Sequence, residues 1–184
     1  MSDSQKTSIG LYTDAPAQCH DYDPRFPEVA RLLAGIICSG APVAVEHIGS
    51  TSVEGLRGKG VIDLMVLYGE GLLEEAKAAL DRLGFQRQSG RDPFPEDRPM
   101  RVGTIEYEGS TFRIHAHVIA RGSPEPEVLR SFRDRLSRDA ALREAYVARK
   151  IEIIAGGVVD QVDYSMEKGD FIKDALGSNS FWAG

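Results

Sequence analysis

Cysteine is nearly missing from this chain. Cys19 and Cys38 are the only two, far apart and without the paired spacing of a metal knuckle. They exclude a disulfide framework and fit a reducing compartment. Long apolar runs are missing too: stretches such as Val61–Leu67 fall well short of the ~20 residues a membrane-spanning helix needs. The segment from Met1 to Ser8 is polar and lacks the apolar centre of a secretion signal. Basic residues are in deficit, 22 Lys and Arg against 28 Asp and Glu, giving a net charge of −6. That balance argues against broad nonspecific binding to nucleic acid or anionic membranes, while leaving room for a local basic pocket. There is no internal repeat and no low-complexity linker. At 184 residues and 42% hydrophobic composition, the expectation is one soluble, cytoplasmic domain over residues 1–184, with residues 1–10 loose.

The pattern along the chain then alternates between helix and strand. Pro27 stands at the start of a helical stretch in which Val29, Leu32, Leu33, Ile36 and Ile37 recur at helical spacing, ended by Gly40-Ala41-Pro42. Strands are expected over 43–48 and 61–67, with the turn Gly49-Ser50-Thr51-Ser52 after the first. An amphipathic helix follows over 72–83, stopped by Gly84. A short strand over 85–88, a Pro-rich loop over 89–98, and a hairpin of 100–107 with 111–120 come next. Helices over 125–137, 139–155 and 163–176 close the chain. The order implies an α/β or α+β fold, a mixed sheet flanked by helices with a helical C-terminal part.

Two short stretches carry chemistry. A Gly49-Ser50 turn at a strand end lets backbone approach a phosphate, and the amides and hydroxyls of a following helix N-terminus can hold its oxygens. Asp63, inside the apolar strand Val61-Ile62-Asp63-Leu64-Met65-Val66, needs a partner for its charge, and a divalent metal is one such partner. Strand alternation puts Asp63 and Met65 on one face and Leu64 on the other. The same rule puts His115 and His117 on one face of their strand, and sets Glu46 opposite to His47.

The run Glu46-His47-Ile48-Gly49-Ser50-Thr51-Ser52-Val53, followed by Gly55-Leu56, Lys59 and Ile62-Asp63, resembles the central motif of the GrpB family, within the nucleotidyltransferase-like superfamily (UPF0157). The opening Tyr22-Asp23-Pro24-Arg25-Phe26-Pro27 and the strand Arg113-Ile114-His115-Ala116-His117 are similar to that family's too. So are the tail residues Phe132 to Leu136, Tyr146 with Lys150, and Tyr164 with Lys168, Asp170 and Phe171. The resemblance implies a nucleotidyltransferase-like mixed sheet. It also implies nucleotidyl transfer from a nucleoside triphosphate to an acceptor, with phosphates on Gly49, Ser50, Thr51, Ser52 and Lys59, and Asp63 as the catalytic metal-binding carboxylate. His47, Arg113, Lys150 and Lys168 are the further pocket residues it suggests.

Two positions depart from the pattern. Met65 stands where an active nucleotidyltransferase carries its second carboxylate, and Gly60 replaces a usual proline. A thioether is a poor partner for hard magnesium, so the alternative is a binding module for a nucleotide or phosphorylated small molecule that has lost its chemistry. If His115 and His117 join Asp63, the expected divalent cation moves from magnesium or manganese toward a transition metal, and a metal-dependent hydrolase becomes a third reading. Arg98 and Arg101 are expected at the rim of the pocket.

Overall fold

The computed structural model describes residues 8–14, 18–90, 92–156 and 171. Helix α1 (Phe26–Gly40) leads into β1 (Ala44–Ile48), a single 3₁₀ turn (Ser50–Ser52), β2 (Val61–Tyr68) and α2 (Leu73–Leu83). Strands β3 (Gln86–Arg87), β4 (Met100–Tyr107) and β5 (Ser110–Ala120) follow, then α3 (Glu125–Arg138) and α4 (Ala140–Ala155). The helix expected over 163–176, and with it Lys168, lies outside the described residues. Among the described residues, no helix is long and apolar enough to cross a membrane.

The five strands form one mixed sheet in the order β1-β2-β5-β4-β3. Among the described residues, only the central β2–β5 pair is parallel. Alternation along β2 and β5 then sorts the side chains. Ile62, Leu64, Val66, Ile114, Ala116 and Val118 enter the main core beneath α1 and α2. Asp63, Met65, His115 and His117 take the opposite face, in the register Asp63 beside His115 and Met65 beside His117.

Helix α1 packs through Val29, Leu33 and Ile37, a row four residues apart. Leu32, one step round the helix from that row, is 36% exposed rather than core. Ile151 of α4 is likewise exposed, while Lys150 and Ile153 of that turn are buried. A second, smaller core joins Phe132, Leu136 and Tyr146 of α3 and α4 to Val53 and Leu56, which follow the 3₁₀ turn. Glu46 fastens α3 to β1 by accepting from Arg130 at 3.0 and 2.6 Å.

Arg101 is a correction to the rim reading. It is fully buried, donating to Asp81 at 2.7 Å and to both Glu96 oxygens at 3.1 and 3.2 Å. Its partner in the ladder is Ala116, on the helix-covered face, so it ties α2 to the Pro-rich loop. Residues 9 and 10 are also placed rather than loose. Gly10 pairs with Thr104, and Ile9 fills the space above Gly103, where a β-carbon would stand 2.3 Å from Ile9 Cγ2.

Candidate metal and phosphate site

The ladder between β2 and β5 brings one carboxylate and two imidazoles to a single point. Asp63 Oδ1 stands 3.5 Å from His115 Nδ1 and 3.6 Å from His117 Nε2. One ligand atom from each of the three lies within 4.8 Å of the others. Donor atoms about 2.0–2.1 Å from a tetrahedral zinc ion are themselves about 3.3 Å apart, so the Asp63–histidine spacings suit one ion. The cluster is reachable: the side chains of Asp63, His115 and His117 keep 25%, 11% and 16% of their exposure.

Burial works to raise the Asp63 carboxyl, but the neighbouring imidazoles outweigh it and hold the group well below the usual carboxylate range. His117 is pushed down, chiefly by burial, against the pull of Asp63 and with the help of Arg98. A carboxylate beside a neutral imidazole is the protonation state a metal requires.

Gly49 sets the other wall. Its φ of 73° and ψ of −171° belong to a region only glycine adopts readily, and a β-carbon there would stand 2.4 Å from Asp63 Oδ2. The turn therefore rests directly on the carboxylate. No α-helix follows it, contrary to the expected helix N-terminus. The chain makes only the three-residue turn Ser50–Ser52, because Val53 and Leu56 must dive into the smaller core before β2 begins.

The hydroxyls of that turn divide. Thr51 is 2% exposed and donates to Val61 O at 3.1 Å, while Ser52 donates to Gly49 O at 2.6 Å. Ser50 faces another group: a β-carbon on Gly58 would stand 2.6 Å from Ser50 Oγ and 3.3 Å from Lys150 Nζ. Lys150 is buried, donates to the Arg57 carbonyl, and lies 4.5 Å from the Tyr146 ring. Burial raises the Tyr146 hydroxyl, and the charge of Asp63 adds to the effect.

Two other expected residues make hydrogen bonds of their own. His47 pairs across from Leu64, on the core side, and meets Thr51 Oγ1 at 2.9 Å. Arg113 reaches back to the Lys59 carbonyl at 3.0 Å. A cavity of about 430 Å³ lined by Tyr22, Pro24, Pro27, Ser52 and Glu54 does not include the Asp63 cluster. Two further neighbours touch the histidines, and no sequence signal ranked the first of them. Tyr12 OH is 2.8 Å from His115 Nε2, and Arg98 Nη1 is 3.4 Å from His117 Nδ1. Arg98 was expected at the rim, but Tyr12 reaches its partner across 103 residues of sequence.

His47 yields a pH prediction. Burial pushes its imidazole down to about 4 from 6.5, outweighing the pull of Asp63. The unfolded chain therefore takes up this proton before the folded chain does, and stability falls as pH drops through that window. At about 1.4 kcal/mol per pH unit, the native protein should lose about 2–3 kcal/mol between pH 7 and 4 that His47→Gln retains. Urea unfolding of both at the two pH values measures it; parallel losses would count against it.

Comparison with known proteins supplies the relationships. A family model described as "GrpB protein" matches residues 16–178. A UPF0157 protein of Streptomyces coelicolor is 34% identical over 157 residues, covering 83% of this chain and 78% of that protein. The crystal structure of the conserved protein GrpB from Enterococcus faecalis superposes with a TM-score of 0.57 at 20% identity, over 87% of this chain and all of that one. The Cid1 poly(U) polymerase aligns more loosely, with a TM-score of 0.46 at 13% identity over 70% of this chain and 41% of that one.

Proposed function

The chain belongs to the GrpB family, and from that premise we propose that it is a single-metal site of nucleotidyltransferase type acting on a nucleotide or related phosphorylated small molecule. The observation that supports this most is the meeting of Asp63, His115 and His117 beside Gly49.

A pair of magnesium ions does not fit the residues present. Met65 is fully buried with Ile48, Leu67 and Ile119, so the position of a second carboxylate is apolar and closed. One carboxylate with two imidazoles instead suits a borderline dication such as zinc or iron, with the harder manganese accepting the set more readily than magnesium. When bound, such an ion would offset phosphate charge and draw electron density from phosphorus.

The chain's own residues do the positioning. Gly49 lets the backbone of the turn lie against Asp63, and Ser50, backed by the buried Lys150 ammonium, would supply a hydroxyl and positive charge for the outer phosphates. In the reaction, an acceptor oxygen bonds to the α-phosphorus as the α–β bridging bond breaks. Pyrophosphate leaves with the bonding electrons, and the acceptor's proton passes to solvent.

Met65 favours a second reading, in which the same pocket binds such a ligand without turnover. Calorimetric titration of metal-stripped protein with Zn²⁺, Mn²⁺ and Mg²⁺, then with nucleoside triphosphates, tests both. Zinc or manganese should bind at micromolar concentration or tighter and strengthen nucleotide binding, with magnesium far weaker. Pyrophosphate release would select the transferase, and metal-dependent binding without it the module. Absence of any metal binding would overturn both.

A further inference from the structure

Behind His115, on the side away from Asp63, stands a hydroxyl from the beginning of the described chain. Tyr12 OH and His115 Nε2 are 2.8 Å apart, with the two rings inclined at 44°. Three backbone contacts hold that hydroxyl in place. The Tyr12 amide donates to Gln86 Oε1 at 2.8 Å, the Leu11 carbonyl accepts from Thr104 Oγ1 at 3.3 Å, and Gly10 exchanges hydrogen bonds with Thr104 at 2.8 and 3.1 Å. The segment is thus pinned across β3 and β4.

A phenol hydroxyl both donates and accepts, whereas a neutral imidazole has one nitrogen of each kind. Without a metal, the Asp63 carboxylate draws the imidazole proton to Nδ1. Nε2 then offers a lone pair, and Tyr12 donates to it. A metal ion on Nδ1 needs that lone pair instead. The Nδ1 proton departs to solvent, another arrives at Nε2, and the ring stays neutral. Tyr12 then accepts, from the same position.

Among the described residues, His117 has no such partner. Its Nδ1 faces Arg98 Nη1 at 3.4 Å, and a guanidinium only donates. Arg98 is itself held by Glu125 and lies 4.7 Å from the Phe94 ring. It supports only the tautomer that keeps a proton on Nε2, toward Asp63. The two imidazoles are therefore unequally prepared.

We infer that Tyr12 is a positioning residue for a metal ligand: its hydroxyl holds the His115 ring and changes from donor to acceptor as Nδ1 exchanges its proton for a metal ion. The inference rests on the single-metal reading above. Outer partners of this kind are worth about 10–100-fold in metal affinity.

The test compares ¹⁵N-labelled native protein with Tyr12→Phe, which keeps the ring and removes only the hydroxyl. In native protein, the His115 ring nitrogens should report a proton on Nδ1 without zinc and on Nε2 with it. Tyr12→Phe should bind zinc about 10–100-fold more weakly, with its thermal midpoint close to native. Without zinc, its His115 signals should shift toward a mixture of tautomers. Equal zinc affinity in the two proteins would overturn the inference, as would an unchanged native tautomer on zinc loading. If native protein binds no zinc at all, the metal reading fails. The metal-free spectra then still decide the contact, identical His115 signals in both proteins counting against Tyr12 and a mixture in the variant supporting it.

Discussion

Replacing Gly49 with alanine is expected to destabilise the fold by about 2–6 kcal/mol and to abolish metal binding in the same stroke. Two costs add here. The backbone at φ 73° and ψ −171° strains any residue with a β-carbon by about 1–3 kcal/mol. The new carbon would also stand 2.4 Å from Asp63 Oδ2 and 3.1 Å from its Cβ. Because those atoms belong to a short side chain on a central strand, relief requires the turn or β2 to move, at about 1–3 kcal/mol. Gly55→Ala is the control for a positive φ without a clash. Its φ is also positive, at 74°, but nothing lies within 4 Å of the added carbon. It should show the strain alone and keep metal affinity. Denaturant unfolding and zinc titration of both variants check this, and near-native values for Gly49→Ala would mean that the turn does not rest on Asp63.

Asp63→Asn should weaken zinc or manganese binding by at least about 100-fold, since it removes the only anionic donor of the cluster and leaves two neutral imidazoles. The amide nearly preserves shape, so the fold should persist. Stability should change in a pH-dependent way. The native carboxyl is held below its usual range by His115 and His117, against the effect of burial. A group depressed on folding contributes stability that is complete above the ordinary carboxyl range and is lost as pH falls. The native protein should therefore exceed Asp63→Asn by about 1–3 kcal/mol near pH 6, and the gap should close as pH falls below about 4. Unfolding curves across that range, with a metal titration at neutral pH, give both readouts. Undiminished metal affinity in the variant would remove Asp63 from the site and end the proposed function with it.

Much of the scaffold was legible in the chain. The apolar run Val61–Leu67 gave β2, and Gly84, in the left-handed conformation at φ 101°, ends α2. Glu108-Gly109, both at positive φ, makes the tight turn between β4 and β5. Period-two alternation was enough to put Asp63 with Met65, and His115 with His117. The resemblance carried by residues 46–63 named the family that the comparison with known proteins shows.

Other features had no local signal. Arg101 follows the Pro-rich loop like any surface arginine, and its burial depends on Asp81 and Glu96 arriving from two other segments. The helix expected after Gly49 fails because Val53 and Leu56 are claimed by Phe132, Leu136 and Tyr146, some eighty residues later. Thr51 was expected to offer its hydroxyl to a phosphate, yet it is buried and donates to Val61 O at the start of β2.

The sequence by itself determined which residues are apolar at which spacing, and hence the strands, the helices and the face each side chain takes. Those properties follow from local backbone geometry and periodicity. Only the tertiary structure decided that β5 lies parallel to β2 in the register that sets Asp63 against His115 and His117, and that Tyr12 closes over the far side of His115. Pairing between distant strands is fixed by the packing of the whole sheet against α1 and α2. No single segment carries that free energy, so none displays it.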